Sequence, residues 1–216
     1  MSRWLVACEE SGTVRDAFLR RGIDAVSCDL KPTRSQAFGK HYQCDVRELL
    51  YSERWAGIIA HPTCTYLSNS GVRWLTTPAK DPAILWGAER RLAMLDAAKF
   101  FLLFWNYPDR DMPICVENPV MHKHALALIG GERHTQTVQP YQFGHLESKR
   151  TCFWLRNLPP LLPTHDVEAA MRELPERERS KVHYCSPGEK RAEIRSTFFT
   201  GIADAMAVQW GPYGHD

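Results

Sequence analysis

The sequence predicts an α/β fold built on a doubly wound, mostly parallel sheet. Two observations carry this expectation. Short, fully apolar runs alternate with segments of helical spacing, and the apolar runs end in polar or reactive residues. With 216 residues and 44% hydrophobic content, the chain is long enough to bury a real core in one compact domain.

Residues 4–8 (WLVAC) read as a first strand, followed by the polar turn 9–12. Residues 13–21 have helical spacing, with Val14, Ala17 and Phe18 on one face, and Gly22 stops that helix. Residues 23–30 (IDAVSCDL) read as a second strand ending at Asp29, and after a polar loop 42–45 form a short third. Residues 57–60 (GIIA) make a fourth strand, cut off by His61 and Pro62. The longest helical pattern runs over 89–105, with Leu92, Leu95, Ala98, Phe101 and Leu102 at helical spacing. Residues 114–117 (ICVE) form a fifth strand, terminated by Asn118 and Pro119. Beyond Gly144 the character changes. Residues 149–155 are another strand candidate, the proline-rich 158–163 a loop, 165–195 a charge-dense stretch, and 201–210 a closing helix.

Charge excludes one class of function. Lys plus Arg number 27 against 25 Asp plus Glu, a net charge of +2, so a purely electrostatic nucleic-acid binder is ruled out while a local basic face is not. No run approaches the roughly eighteen apolar residues of a membrane helix, and the first residues lead straight into a strand. A cytoplasmic protein without membrane partners is expected. The seven cysteines, at 8, 28, 44, 64, 115, 152 and 185, contain no CxxC pair, so most read as small core residues and no metal site is expected. His122 and His124 alternate around Lys123, a spacing that suits neither face of a strand nor a helix as a metal pair.

In an open α/β sheet, ligands bind beyond the carboxyl ends of the strands. Here those ends carry the turn Glu9, Glu10, Ser11 and Gly12, then Asp29, Asp45, the stretch 61–64, and Glu117 with Asn118. A carboxylate such as Asp29 or Asp45 can accept bonds from ribose hydroxyls or an adenine amine. Aspartate also ends strands by bonding its local backbone, and that alternative stands beside the first. Cys64, in the loop after a buried strand, sits where a nucleophile would, although a thiol needs a cationic or hydrogen-bonding neighbour to act as one. Glu117 at the rim of an apolar sheet would have its proton affinity raised and could share a proton with a heterocycle nitrogen; a turn or cap is the plainer alternative. Lys149 and Arg150 supply positive charge before the late strand, or else line a solvated edge.

Taken together, these pieces resemble the cytosine-C5 DNA methyltransferases, especially their compact phage and prophage members. The similarity covers roughly residues 4–157 and 195–210. The family's Pro-Pro-Cys loop is matched by Pro62-Thr63-Cys64, its Glu-Asn-Val by Glu117-Asn118-Pro119, and its Gln-x-Arg-x-Arg by Glu147-Ser148-Lys149-Arg150-Thr151. The helix that closes the family's cofactor pocket resembles residues 201–207. The specific part is Cys64 and Glu117, in the right order on matching strand ends.

The resemblance implies a Rossmann-like, S-adenosylmethionine-dependent methyltransferase fold and a DNA (cytosine-5-)-methyltransferase activity. Cys64 would add to carbon 6 of cytosine and make carbon 5 nucleophilic toward the sulfonium methyl. Glu117 would bond N3 and the exocyclic amine, and Lys149 would contact the pyrimidine carbonyl or phosphates. Glu9, Ser11, Gly12, Asp29, Asp45 and Pro62 would hold the cofactor, and Asn118, Arg150 and Thr151 would meet the substrate. A duplex substrate would require base flipping.

Three departures qualify the match. The family's Phe-x-Gly-x-Gly turn is Ala7-Cys8-Glu9-Glu10-Ser11-Gly12 here, the residue before the nucleophile is Thr63, and one of the two arginine positions is Thr151. The expected organisation is a catalytic domain over 1–157 and 195–216, with 158–194 a short insertion in place of a full target-recognition domain. That insertion could offer Arg172, Arg177, Arg179, Lys181, Lys190 and Arg191 to a nucleic acid, but acidic neighbours nearly cancel their charge. Duplex or single-stranded DNA is therefore the first expected partner. A related enzyme on RNA or a free pyrimidine nucleotide, or a non-catalytic nucleic-acid-binding module, are the alternatives.

Overall fold

A computed structural model describes residues 2–184 and 198–214. The chain builds a seven-stranded sheet in the order β3-β2-β1-β4-β5-β7-β6. Its strands are β1 (Arg3–Ala7), β2 (Ala25–Asp29), β3 (His41–Gln43), β4 (Trp55–Ala60), β5 (Ile114–Asn118), β6 (Gln136–Val138) and β7 (Thr151–Arg156). All neighbouring pairs from β3 through β5 are parallel, and β7 alone runs against its neighbours β5 and β6. This is the expected doubly wound, Rossmann-like arrangement.

Both faces of the sheet are covered, which is why its strands read as continuous apolar runs. On one face Leu5, Ala7, Ile58, Ala60, Ile114, Val116 and Trp154 pack under α3 (Gly87–Trp105) through Met94, Ala97, Ala98, Phe101 and Phe104. On the other, Trp4, Val6, Ile59, Cys115, Phe153 and Leu155 meet α1 (Thr13–Arg20) and α8 (Thr200–Trp210) through Val14, Ala17, Phe18, Ile202, Ala203, Met206 and Trp210. Alternate residues of one strand thus serve opposite cores, as the period of two demands. Each large side chain so buried contributes on the order of 1.5–3 kcal/mol. Gly57 is glycine because the Trp4 indole lies flat against it; an added Cβ would sit 2.5 Å from that ring.

The structure corrects one expectation about faces. Leu92 and Leu95 point outward, 65% and 36% exposed, while Met94, Ala97, Phe101 and Phe104 face the sheet. The helix carries apolar residues nearly all round, so periodicity alone could not choose its buried stripe. Among the described residues of the charge-dense stretch stand three short helices, α5 (Glu168–Arg172), α6 (Glu176–Arg179) and α7 (Lys181–Tyr184). Of these, α6 meets the loop before β7, where the Ser148 N–H donates to the Arg179 carbonyl at 2.7 Å. Cys185, Lys190 and Arg191, named above, lie outside the described residues.

Two smaller helices follow β3 and β5: α2 (Val46–Leu49), capped by Asp45, and α4 (Lys123–Leu128), capped by His122. His122 Nδ1 accepts from the Ala125 N–H at 3.1 Å, which gives this histidine a capping role.

Candidate active site

The chain order reverses between β1 and β4, with β2 and β3 on one side and β5 on the other. Ligand crevices form at such switch points. A cavity of about 720 Å³ opens there, lined among others by Cys8, Glu9, Ser11, Asp29, Asp45, His61, Phe100 and Phe198. Its size lies within the range of small-molecule and cofactor sites, roughly 300–1,000 Å³.

Four of the six residues expected to hold a cofactor line this cavity: Glu9, Ser11, Asp29 and Asp45. Each carboxylate already has local work. Buried Glu9 accepts from the N–H groups of Val14 and Arg15 at 2.6 and 3.2 Å, so it caps α1 from five residues upstream. Burial raises its proton affinity, opposed by nearby His61 and by those backbone N–H groups. Asp29 accepts from the Lys31 N–H at 2.9 Å. Asp45 accepts from the Arg47 N–H at 2.9 Å and pairs with its guanidinium, which together hold the carboxyl below the usual carboxylate range. Gly12 stands at the start of α1 with φ +72°, a conformation that favours glycine, and the Ser35 Cβ and Arg15 guanidinium crowd the place of a Cβ. Pro62 is buried beside the lining residues His61 and Thr63.

The second half of the edge lies at β4 and β5. These strands are neighbours in register, Ala60 opposite Val116, so His61 and Glu117 come next on each. His61 Nδ1 lies 3.3 Å from Glu117 Oε2. One residue on, Asn118 is fully buried and its Nδ2 donates to the Pro62 carbonyl at 3.4 Å, tying the loop of Cys64 to the end of β5. The loop is fastened further along as well. The Cys64 carbonyl accepts from Leu67 and Ser68, and Ser68 bridges Met121. Buried Arg90 reaches the Thr65 carbonyl at 3.0 Å. Cys64 itself is half-buried.

Reversal of β7 explains how a late segment joins an early site. Asn118 pairs with Cys152, so an antiparallel strand delivers its first residues to the edge where parallel strands deliver their last. Lys149 is thereby brought to that edge, its Nζ 5.6 Å from the Phe199 ring centre. Arg150 is exposed, whereas Thr151 is buried with its hydroxyl donating to the Lys149 carbonyl at 3.2 Å.

Burial separates the cysteines. It pushes the Cys28 thiol up to about 12, reinforced by Cys44, whose Sγ is 3.7 Å away. It also raises Cys8, Cys115 and Cys152, which marks all four as weak nucleophiles. Sequence reasoning gave no role to His61 or Phe198. The signal for His61 was its place one residue past a buried strand; Phe198 carried none, because α8 returns to the cavity only in three dimensions.

No protein-family model and no curated protein matches the chain. Among solved structures it is similar to a DNA modification methyltransferase encoded within a prophage of E. coli, at 15% identity and TM-score 0.44, covering 82% of this chain and 56% of that one. It is also similar to a mutant DNMT2 of Spodoptera frugiperda, at 12% identity and TM-score 0.37, covering 77% and 54%. The chain thus spans little more than half the length of either, and neither likeness bears on function at these values.

Proposed function

We propose that this protein is a methyltransferase that transfers a methyl group from S-adenosylmethionine to carbon 5 of cytosine in DNA. The observation that supports this best is at one sheet edge: β4 and β5 pair in register, so the loop of Cys64 leaves beside Glu117, and His61, next to a cavity also lined by Asp29 and Asp45, reaches Glu117. The cavity fits the cofactor in chemistry as well as size. Asp29 and Asp45 offer acceptors for ribose hydroxyls and an adenine amine, and the buried His61 Nε2 has no hydrogen-bond partner among the described residues.

In this reading Asp29, Asp45 and the turn through Glu9, Ser11 and Gly12 hold the cofactor, with Pro62 closing the β4 side. When bound, the cofactor supplies an electrophilic methyl group. Cys64 adds as thiolate to carbon 6 of the ring, which enriches carbon 5 in electrons. Glu117 bonds N3 and the exocyclic amine and neutralises charge that develops on the ring. Lys149 and Arg150 offer cations to the pyrimidine carbonyl or the phosphates, and Thr151 supports the turn that presents them. Carbon 5 would form its bond to the methyl as the methyl–sulfur bond of the donor breaks; loss of the carbon 5 proton to water then expels Cys64 and restores the ring. Residues 158–194 would form a short insertion in place of a full target-recognition domain. The net charge of +2 favours a second reading, in which the acceptor is single-stranded DNA, RNA or a free pyrimidine nucleotide.

Tritium at carbon 5 tests both. The protein is incubated with S-adenosylmethionine and C5-tritiated cytosine as duplex DNA, single-stranded DNA, RNA and free nucleotide. Cys64-dependent release of tritium to water from DNA is the expected result, and release from another acceptor names that one instead. Release from none of the four, with the cofactor still bound, overturns the proposed chemistry.

A further inference from the structure

His61 is the residue through which the two halves of the edge touch. It lines the cofactor cavity, and the same ring reaches Glu117 through Nδ1 at 3.3 Å. Its backbone N–H donates to the Ala7 carbonyl at 2.9 Å, which extends the β1–β4 ladder by one residue and fixes where the ring starts. Phe198 packs edge-to-face with the imidazole, centroids 4.9 Å apart. The other ring nitrogen, Nε2, is buried with no hydrogen-bond partner among the described residues. An orphaned polar atom of this kind costs about 1–3 kcal/mol unless something satisfies it.

We infer that His61 is a positioning residue with two attachments: Nδ1 orients the Glu117 carboxylate, and Nε2 takes the charged amino-acid end of the methyl donor. The inference rests on the methyl-transfer reading. Geometry decides which end of the donor is concerned. Asp29 and Asp45, the acceptors suited to ribose and adenine, stand at the β2 and β3 side of the cavity, while Cys64 and Glu117 stand past β4 and β5. A donor whose methyl must reach the Cys64 side therefore lays its methionine portion across β1 and β4, where His61 stands. A filled donor site would then lock the histidine ring, and the ring would lock the carboxylate that receives the base. Binding and chemistry would be coupled through one side chain.

Two conservative variants separate the attachments. His61→Asn keeps a polar atom near the Nδ1 position and deletes Nε2, and His61→Gln keeps one near Nε2 and deletes Nδ1. Calorimetry measures the affinity of each for S-adenosylhomocysteine and for 5′-methylthioadenosine, which lacks the amino-acid end. The wild type should prefer S-adenosylhomocysteine. His61→Asn should lose about tenfold of that preference, about 1.4 kcal/mol, with 5′-methylthioadenosine binding unchanged. His61→Gln should keep the preference and lose turnover in the tritium assay, a split that a merely structural histidine would not produce. Undiminished preference in His61→Asn, the same profile in both variants, or no preference in the wild type would each overturn the inference. If the wild type binds neither ligand, the methyl-donor reading itself has failed.

Discussion

The β1–β3 half of the carboxyl edge and the β4–β5–β7 half are built on opposite terms. In the first, every carboxylate is engaged by the chain's own backbone or cations: Glu9 by α1, Asp29 by Lys31, Asp45 by Arg47, and Glu10 by Lys31 and Arg34. In the second, buried polar atoms stand without hydrogen-bond partners among the described residues: His61 Nε2, Asn118 Oδ1 and Glu147 Oε1. A satisfied carboxylate keeps its wall in place, whereas an orphaned buried polar atom is costly until something pairs with it. In the proposed reading the first half is the donor half, largely satisfied before anything binds although the Arg15 Nη2 there has only its ion pair with Asp16. The second is the acceptor half, completed by what enters it.

Substitutions can break that contrast, and the largest effect should fall on the acceptor half. Cys64→Ala should lower turnover by about three orders of magnitude or more while changing folding stability by less than about 1 kcal/mol, since the thiol is half-buried in a loop fastened by its neighbours. Tritium release beside a urea titration reads both, and a variant that still turns over removes Cys64 from the chemistry. On the donor half, Asp29→Ala should weaken S-adenosylhomocysteine about tenfold by calorimetry and leave the urea midpoint nearly in place, because its single local bond is to an exposed turn. An unchanged dissociation constant would move the donor away from β2.

Much of the fold was legible because the parallel strands, covered on both faces, write themselves as apolar runs with polar ends. The loop of Cys64 and the residue Glu117 were singled out for the same reason, as positions just past such runs. Two features were not legible. Gln136–Val138 is three residues long and half exposed, too short to carry a period, so β6 left no signal. The role of Glu9 was hidden because its partners, the Val14 and Arg15 N–H groups, are backbone atoms brought under it by the left-handed turn at Gly12. A cofactor ligand and a helix cap look alike in sequence, and only the register of that turn tells them apart.

Glu9 therefore offers a sharper test of the donor half. Glu9→Ala strands two buried N–H groups at the start of α1 and should cost about 1–3 kcal/mol of stability, read as a lower urea midpoint. Its effect on S-adenosylhomocysteine affinity should be smaller than that of Asp29→Ala once folding is corrected for. The reverse order, intact stability with lost affinity, would make Glu9 a ligand residue first and reverse the distinction between wall and site.

The smallest effect is a pH dependence centred on the acceptor half. Burial lowers the proton affinity of His122, His134 and His145, and in two of them a ring nitrogen accepts a backbone N–H: His122 from Ala125, His145 from Gly201. The unfolded chain therefore takes up protons first, as pH falls through about 6.5, and stability falls with it until the folded histidines titrate. Glu9 works in the opposite sense, because burial raises its proton affinity and its ionisation costs stability as pH rises above the unfolded carboxyl value near ~4.3. Three histidines against one carboxyl should leave the protein weaker at pH 5.5 than at pH 7.5, measured as the urea midpoint. His122→Asn keeps an N-cap acceptor for α4 but cannot titrate, so its midpoint should change less between those two pH values than that of the wild type. Equal changes in both proteins would show that the acid weakness arises elsewhere than at the helix His122 caps.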